Sequence, residues 1–113
     1  MDKNPKKYLE HILKAISNIE KFGESRPKRF DYFCEDICYC SAVKYEIAVI
    51  GEAVSQLRKL REDIIITNAR KIIDTRNYII HGYDSLRLDI LWSIVINHLP
   101  ELKKEINSLI SSL

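Results

Sequence analysis

The sequence predicts an all-α fold, an antiparallel bundle of four to five helices in one domain covering residues 1–113. Three observations carry that expectation. Apolar residues recur at steps of three and four through most of the chain, the spacing that lines one face of a helix. Glycine and proline number three each in 113 residues, which leaves little room for turn-rich β architecture. A chain of this length can bury a core without metal or disulfide staples.

The first helix is expected from about Pro5 to Phe22, with Tyr8, Leu9, Ile12, Leu13, Ile16 and Ile19 forming one stripe and Gly23 ending it. The stretch ESRPKRF reads as a connector. Pro27 suits an early position of a second helix that carries Phe30, Phe33 and Ile37. A long third helix runs from about Ala42 to Leu60 through Val43, Ile47, Ile50, Val54 and Leu57, with Val49 and Ala53 as a second apolar flank. Two apolar flanks place this helix at the centre. After a break at REDIIITN, Thr67 or Asn68 can cap a fourth helix from about Ala69 to Gly82, the latter as its C′ residue. The segment IIIT resembles a strand locally, but no second strand is available to pair with it. The last helix begins after Asp84 or Ser85 and repeats Leu88, Trp92, Val95, Leu99, Leu102, Ile106, Leu109 and Leu113, a seam suited to antiparallel bundle packing. Trp92 and its neighbours on this seam belong to the core or to a dimer contact. Pro100 falls inside the seam and predicts a kink or restart, with Asn97 as a cap.

Bulk properties exclude several classes of function. A formal net charge of +2 permits an acidic or nucleic-acid partner without demanding one. No run approaches the roughly 18 apolar residues of a membrane span, and the start MDKNPKKYLEHIL is amphipathic rather than a signal peptide. A cytoplasmic protein with no membrane partner is expected. Cys34, Cys38 and Cys40 stand as C-x3-C-x-C, with no second cysteine or histidine cluster nearby to complete a tetrahedral site. They read as reduced, half-buried thiols; no metal and no cofactor is expected.

One stretch breaks the apolar pattern. In RNYIIHGY, Arg76 has Ile72, Ile73, Ile79 and Ile80 as its three- and four-residue neighbours, so a guanidinium sits on a face made of isoleucine. Such a charge must be paired, reach water past its stem, or lie in a cleft or interface. Glu52, with Ala48, Val49, Ser55 and Gln56 around it, is a candidate partner; a solvated helix-face glutamate is the plainer reading. His81 follows Arg76 by five residues, some 140° round a helix at 100° per residue. The two converge only if the helix ends at His81 or if each site takes residues from two copies of the chain. Asn77 precedes His81 by four positions and can orient its ring. His11 and His98 have nothing of matching chemistry at helical spacing and read as surface residues.

With these residues in view, the chain resembles the HEPN domains, specifically the HepT-like branch encoded beside minimal nucleotidyltransferases in prokaryotes. The branch's signature R-x4-H-x-Y is present as Arg76, His81 and Tyr83, and the likeness extends through YLEHILKAISNIEKF, AVKYEIAVIGEAVSQL and LDILWSIVINHLPELKKEI. Family members often carry a proline and a tryptophan ahead of the arginine helix, where this chain has REDIIITNARKI.

The resemblance implies the toxin of a toxin–antitoxin pair, a metal-independent endoribonuclease whose active site forms at a homodimer cleft. Arg76 and His81 would be catalytic, with Asn77 and Glu52 in support and RNA as substrate. A cognate minimal nucleotidyltransferase antitoxin would silence it by transferring AMP to Tyr83. Two other readings stand beside this one: a non-catalytic helical subunit that helps a nucleotidyltransferase hold a nucleotide, and a plain structural bundle in which RNYIIHGY is only a helix end.

Overall fold

Asn4 opens the first helix, its side-chain oxygen accepting the Lys6 N–H at 3.1 Å. Pro5 fills the first helical position, where the missing N–H would have had no partner anyway. The computed structural model describes residues 4–82 and 86–113. Helix α1 (Pro5–Gly23) buries Leu9, Ile12, Ile16 and Ile19 of the predicted stripe together with Ala15, while Tyr8 and Leu13 flank it and are only partly covered.

The second helix is shorter and later than the sequence led us to expect. Helix α2 (Phe30–Glu35) starts at Phe30, and Pro27 lies outside it in the connector. A proline disfavours helical geometry in the residue before it, here Arg26. Arg26 is anchored elsewhere: Nε meets Asp36 Oδ2 at 2.9 Å and Nη1 donates to the Phe22 carbonyl at 2.7 Å. Phe33 is fully buried and packs its ring 5.0 Å from Trp92 and 5.3 Å from Tyr39.

The central helix begins before Ala42. Helix α3 (Ile37–Leu60) is capped by Asp36, whose Oδ1 accepts the Tyr39 N–H at 2.9 Å. Ile37, expected on the second helix, instead opens α3 with 79% of its surface exposed. Against α3, α1 runs antiparallel: Asn18 Nδ2 donates to the buried Glu46 carboxylate at 3.0 Å, while Gly23 lies beside the Tyr39 hydroxyl.

Residues 64–66 form no strand. Ile64 and Ile66 turn into the core and Ile65 is 79% exposed, an alternation that an irregular connector can produce without a pairing partner. Helix α4 (Ala69–Ile80) follows, with Asn68 in left-handed backbone geometry at φ 62°. Asn68 holds the cap position, but its side chain makes no capping bond. Thr67 is used differently, its N–H and hydroxyl both donating to Glu105 at 3.0 and 2.8 Å.

The C-terminal helical run corrects the predicted seam. Helix α5 (Leu88–Ser93) passes into a π turn at Ile94–His98 and then α6 (Leu99–Ser112). The buried residues are Leu91, Ile94, Leu99, Leu102 and Ile106, whereas of the predicted seam Leu88, Trp92, Val95 and Leu109 are only partly covered and Leu113 is half exposed. The wide turn, closed by Leu99 N–H to the Ile94 carbonyl, inserts one residue and changes the phase of the stripe. It also answers Pro100, which has no N–H to continue a regular helix. Asn97 caps nothing; its amide reaches Ser93 Oγ at 3.2 Å.

The described residues thus form an all-α bundle in which α1 and α4 both pack on α3 and α6 closes over α1. None of the described helices is long and apolar enough to cross a membrane. Asp84 and Ser85, expected to start the last helix, lie outside the described residues.

Asp36 joins two elements by one carboxylate, and its pKa is lowered to about 2, by the Tyr39 N–H first and then by Arg26. A depressed pKa means that its contribution is complete above the unfolded value near 3.9 and is lost as pH falls through about 2. Asp36→Asn keeps an N-cap but loses the charge opposite Arg26. Its thermal midpoint is therefore expected below that of the parent at pH 7, with the gap closing between pH 4 and pH 2 in a circular-dichroism melt series.

Candidate active site

Gly51 decides where the site can form. A Cβ placed on it would lie 2.4 Å from Arg76 Cβ and 3.3 Å from the Ile72 carbonyl oxygen. No real side chain tolerates such distances, so α3 and α4 touch through the bare backbone at this point. The contact sets Arg76 directly over the neighbouring turn of α3.

There Arg76 Nη2 meets Glu52 Oε2 at 2.7 Å, and Nη1 donates to Asn77 Oδ1 at 3.0 Å. Gln56 Nε2 donates to Glu52 Oε1 at 3.0 Å, which fixes the far side of the carboxylate. The side chains of Arg76 and Glu52 are 27% and 48% exposed, so the pair sits at a wet rim, where ion pairs of this kind are worth about 1 kcal/mol or less. Of the four isoleucines around Arg76, Ile72 is buried and Ile80 is half exposed. Ile73 and Ile79 pack partly against the core. The guanidinium therefore emerges from an apolar base.

Arg76 opens into a depression of about 300 Å³ shared with Tyr8, His11, Tyr45 and Glu52. His11 was assigned to the plain surface by its spacing. It is exposed, stands edge-on to Tyr8 at 6.1 Å between ring centroids, and lines the same hollow as Arg76. Nothing in its local sequence could have shown this, because the partner lies on another helix.

His81 is placed elsewhere. Helix α4 ends at Ile80; His81 follows as its cap residue, and Gly82 takes φ 64°, the left-handed conformation that glycine adopts without strain. His81 lines a second depression with Asp74, Asn77 and Tyr78. Within one chain, the helix end does not bring His81 into the hollow that holds Arg76. Asn77 touches both regions, through its bond to Arg76 and its place on the wall beside His81. Tyr83 lies outside the described residues.

No group of three or more His, Cys, Asp or Glu among the described residues could hold a metal ion. Cys34 and Cys38 are exposed free thiols, whereas Cys40 is buried and desolvation raises its pKa.

An all-α bundle with an arginine projecting from one helix and a histidine at that helix's end has the architecture of a HEPN-type ribonuclease. Residues 12–109 match the ribonuclease HepT-like family. The chain belongs to that family. It is 32% identical over 111 residues to a candidate RNase of Caldanaerobacter subterraneus subsp. tengcongensis, with 96% of each chain covered. A candidate RNase of Methanocaldococcus jannaschii is 32% identical, covering 98% of this chain and 91% of its own. A candidate ribonuclease HepT of Thermococcus cleftensis is 31% identical, covering 96% of this chain and 98% of its own. No solved structure matches the chain.

The close approach at Gly51 can be tested directly. Gly51→Ala is expected to push α4 away from α3 and to cost about 1–3 kcal/mol of stability, the usual penalty of overpacking. Urea unfolding of the two proteins measures it, and an unchanged midpoint would show that the helices separate freely.

Proposed function

We propose that the protein is the toxin of a toxin–antitoxin pair, an endoribonuclease that works as a homodimer with Arg76 and His81 as its catalytic residues. The observation that carries the reading is Arg76 itself, held by Glu52 and Asn77 on an apolar base yet open to solvent. Its fork of donors suits phosphate oxygens.

The reaction that these groups fit is attack of an RNA 2′-hydroxyl on the adjacent phosphorus. A base takes the hydroxyl proton, the 2′-oxygen bonds to phosphorus, and the bond to the 5′-oxygen breaks as an acid returns a proton to it. Histidine can serve both proton steps, since its ordinary pKa near 6.5 leaves both forms available close to neutrality. Such acid–base help is typically worth about 10²- to 10⁴-fold. Arg76 would stabilise the extra negative charge on the pentacoordinate phosphorus. Neither role calls for a metal ion.

A two-fold axis near the end of α4 would bring Arg76 of one copy towards His81 of the other and so join the two depressions that one chain keeps apart. Exposed apolar side chains supply material for that contact: Tyr45 is 68%, Ile80 50% and Tyr78 44% exposed around the two depressions. The same separation is what a non-catalytic phosphate-binding subunit would show. In that second reading Arg76 matters and His81 does not.

Arg76→Ala and His81→Ala are each expected to abolish RNA cleavage and toxicity without loss of helicity, and parental cleavage is expected to persist in EDTA. Co-expression of the two inactive variants should restore partial cleavage if each site draws on two copies. Cleavage that survives His81→Ala would sink the catalytic assignment.

The proposal extends to regulation at Tyr83. AMP transferred to its hydroxyl by a cognate minimal nucleotidyltransferase antitoxin would place a bulky anion two residues from His81, repelling RNA. Intact-mass analysis after co-expression is expected to show an adenylyl adduct that Tyr83→Phe eliminates.

A further inference from the structure

The chain has seven arginines, and the ion pairs divide them sharply. Arg29, Arg61 and Arg87 each pair with the aspartate two positions on, while Arg26 pairs with Asp36 and Arg76 with Glu52. Arg58 and Arg70 have no carboxylate partner among the described residues. Both line the same groove.

The groove, about 790 Å³ in volume, lies where the C-terminal end of α3 faces the start of α4. Arg58 and Lys59 come from α3 and Arg70 from α4, against a single lining carboxylate, Glu62. Cations in the last turn of α3 are favoured by the helix dipole, so Arg58 and Lys59 have a local reason to be there. Arg70 has the opposite placement. It stands in the first turn of α4, at the helix's positive end, in a turn without acidic residues and with no side-chain cap from Asn68. Three cations and an uncapped helix start thus converge on one hollow, an arrangement that a bound anion would relieve.

We propose that this groove is a binding site for the phosphate backbone of single-stranded RNA, holding nucleotides that flank the phosphate engaged by Arg76. The identity of the ligand rests on the ribonuclease reading above. The groove continues towards the site along the α3–α4 seam through Ser55 and Ile73, the latter one turn from Arg76. Arg70 and Arg76 are separated by about 9 Å along α4 at 1.5 Å per residue. That axial separation is short enough for the two arginines to engage phosphates that are close neighbours along one strand. Contacts of this kind position RNA without reading its sequence.

The test is fluorescence anisotropy with a short labelled oligouridylate, titrated at several salt concentrations against His81→Ala protein so that cleavage cannot deplete the probe. Adding Arg58→Gln and Arg70→Gln together is expected to weaken binding at low salt. It should also reduce the slope of log K against log salt by about 1.4, at roughly 0.7 per lost phosphate contact for single strands. Lys28→Gln with Arg29→Gln removes the same charge from a distant connector and should leave the slope unchanged. Parental affinity and slope in the Arg58/Arg70 variant would overturn the groove, as would an equal loss in the connector variant. RNA that binds through the groove to a parent unable to cut it would leave the groove standing and remove the nuclease reading.

Discussion

The backbone contact between α3 and α4 at Gly51 governs both the packing of this bundle and the placement of its charges. Because Gly51 carries no side chain, Arg76 Cβ occupies the space where a Cβ would otherwise be. The close approach lets a charged residue sit at a helix–helix seam with its stem on isoleucine and its head on Glu52. A larger residue at 51 would lift α4 and carry Arg76 away from its carboxylate. It would also change the groove between the ends of the two helices, whose walls are residues of the same pair.

Charge in this protein is organised by pairing more than by amount. The net charge of +2 looks featureless, yet most of the arginines are occupied by carboxylates within the fold, three of them through the local pattern R-x-D. Exposed pairs of that kind add little stability. Their consequence is electrostatic: with the pairs of Arg26 and Arg76 they neutralise five of the seven arginines, and the two without an ion pair among the described residues, Arg58 and Arg70, line one groove at the end of the α3–α4 seam. Arg76 is intermediate, paired to Glu52 at a wet rim where an incoming phosphate could compete for its donors.

The helices were legible to the degree that burial alone decides them. The stripe on α1 and the core of α3 follow their apolar spacing almost residue for residue. The start of α3 was missed because its first turn, Ile37 to Cys40, is capped by Asp36 and held by Arg26 rather than marked by periodicity. The C-terminal seam was read with the wrong phase over its first half, since a π turn that inserts one residue leaves no periodic trace of its own. The peculiarity of Arg76 was visible from its neighbours, whereas the reason for Gly51 was not.

From the sequence alone came the all-α class, the order of the helices and the misplaced look of Arg76, because these depend on neighbours three or four positions away, while His81 and Tyr83 were singled out by the resemblance to the family signature. Only the tertiary structure decided that His11 shares a hollow with Arg76, that His81 faces a different one, and that Arg58 meets Arg70 across a groove. Each of these is a contact or separation between groups distant in the chain, or a direction set by how a helix is rotated against its neighbour. Local spacing constrains neither, since many helix rotations bury the same stripe and the choice among them is made by close contacts such as the one at Gly51.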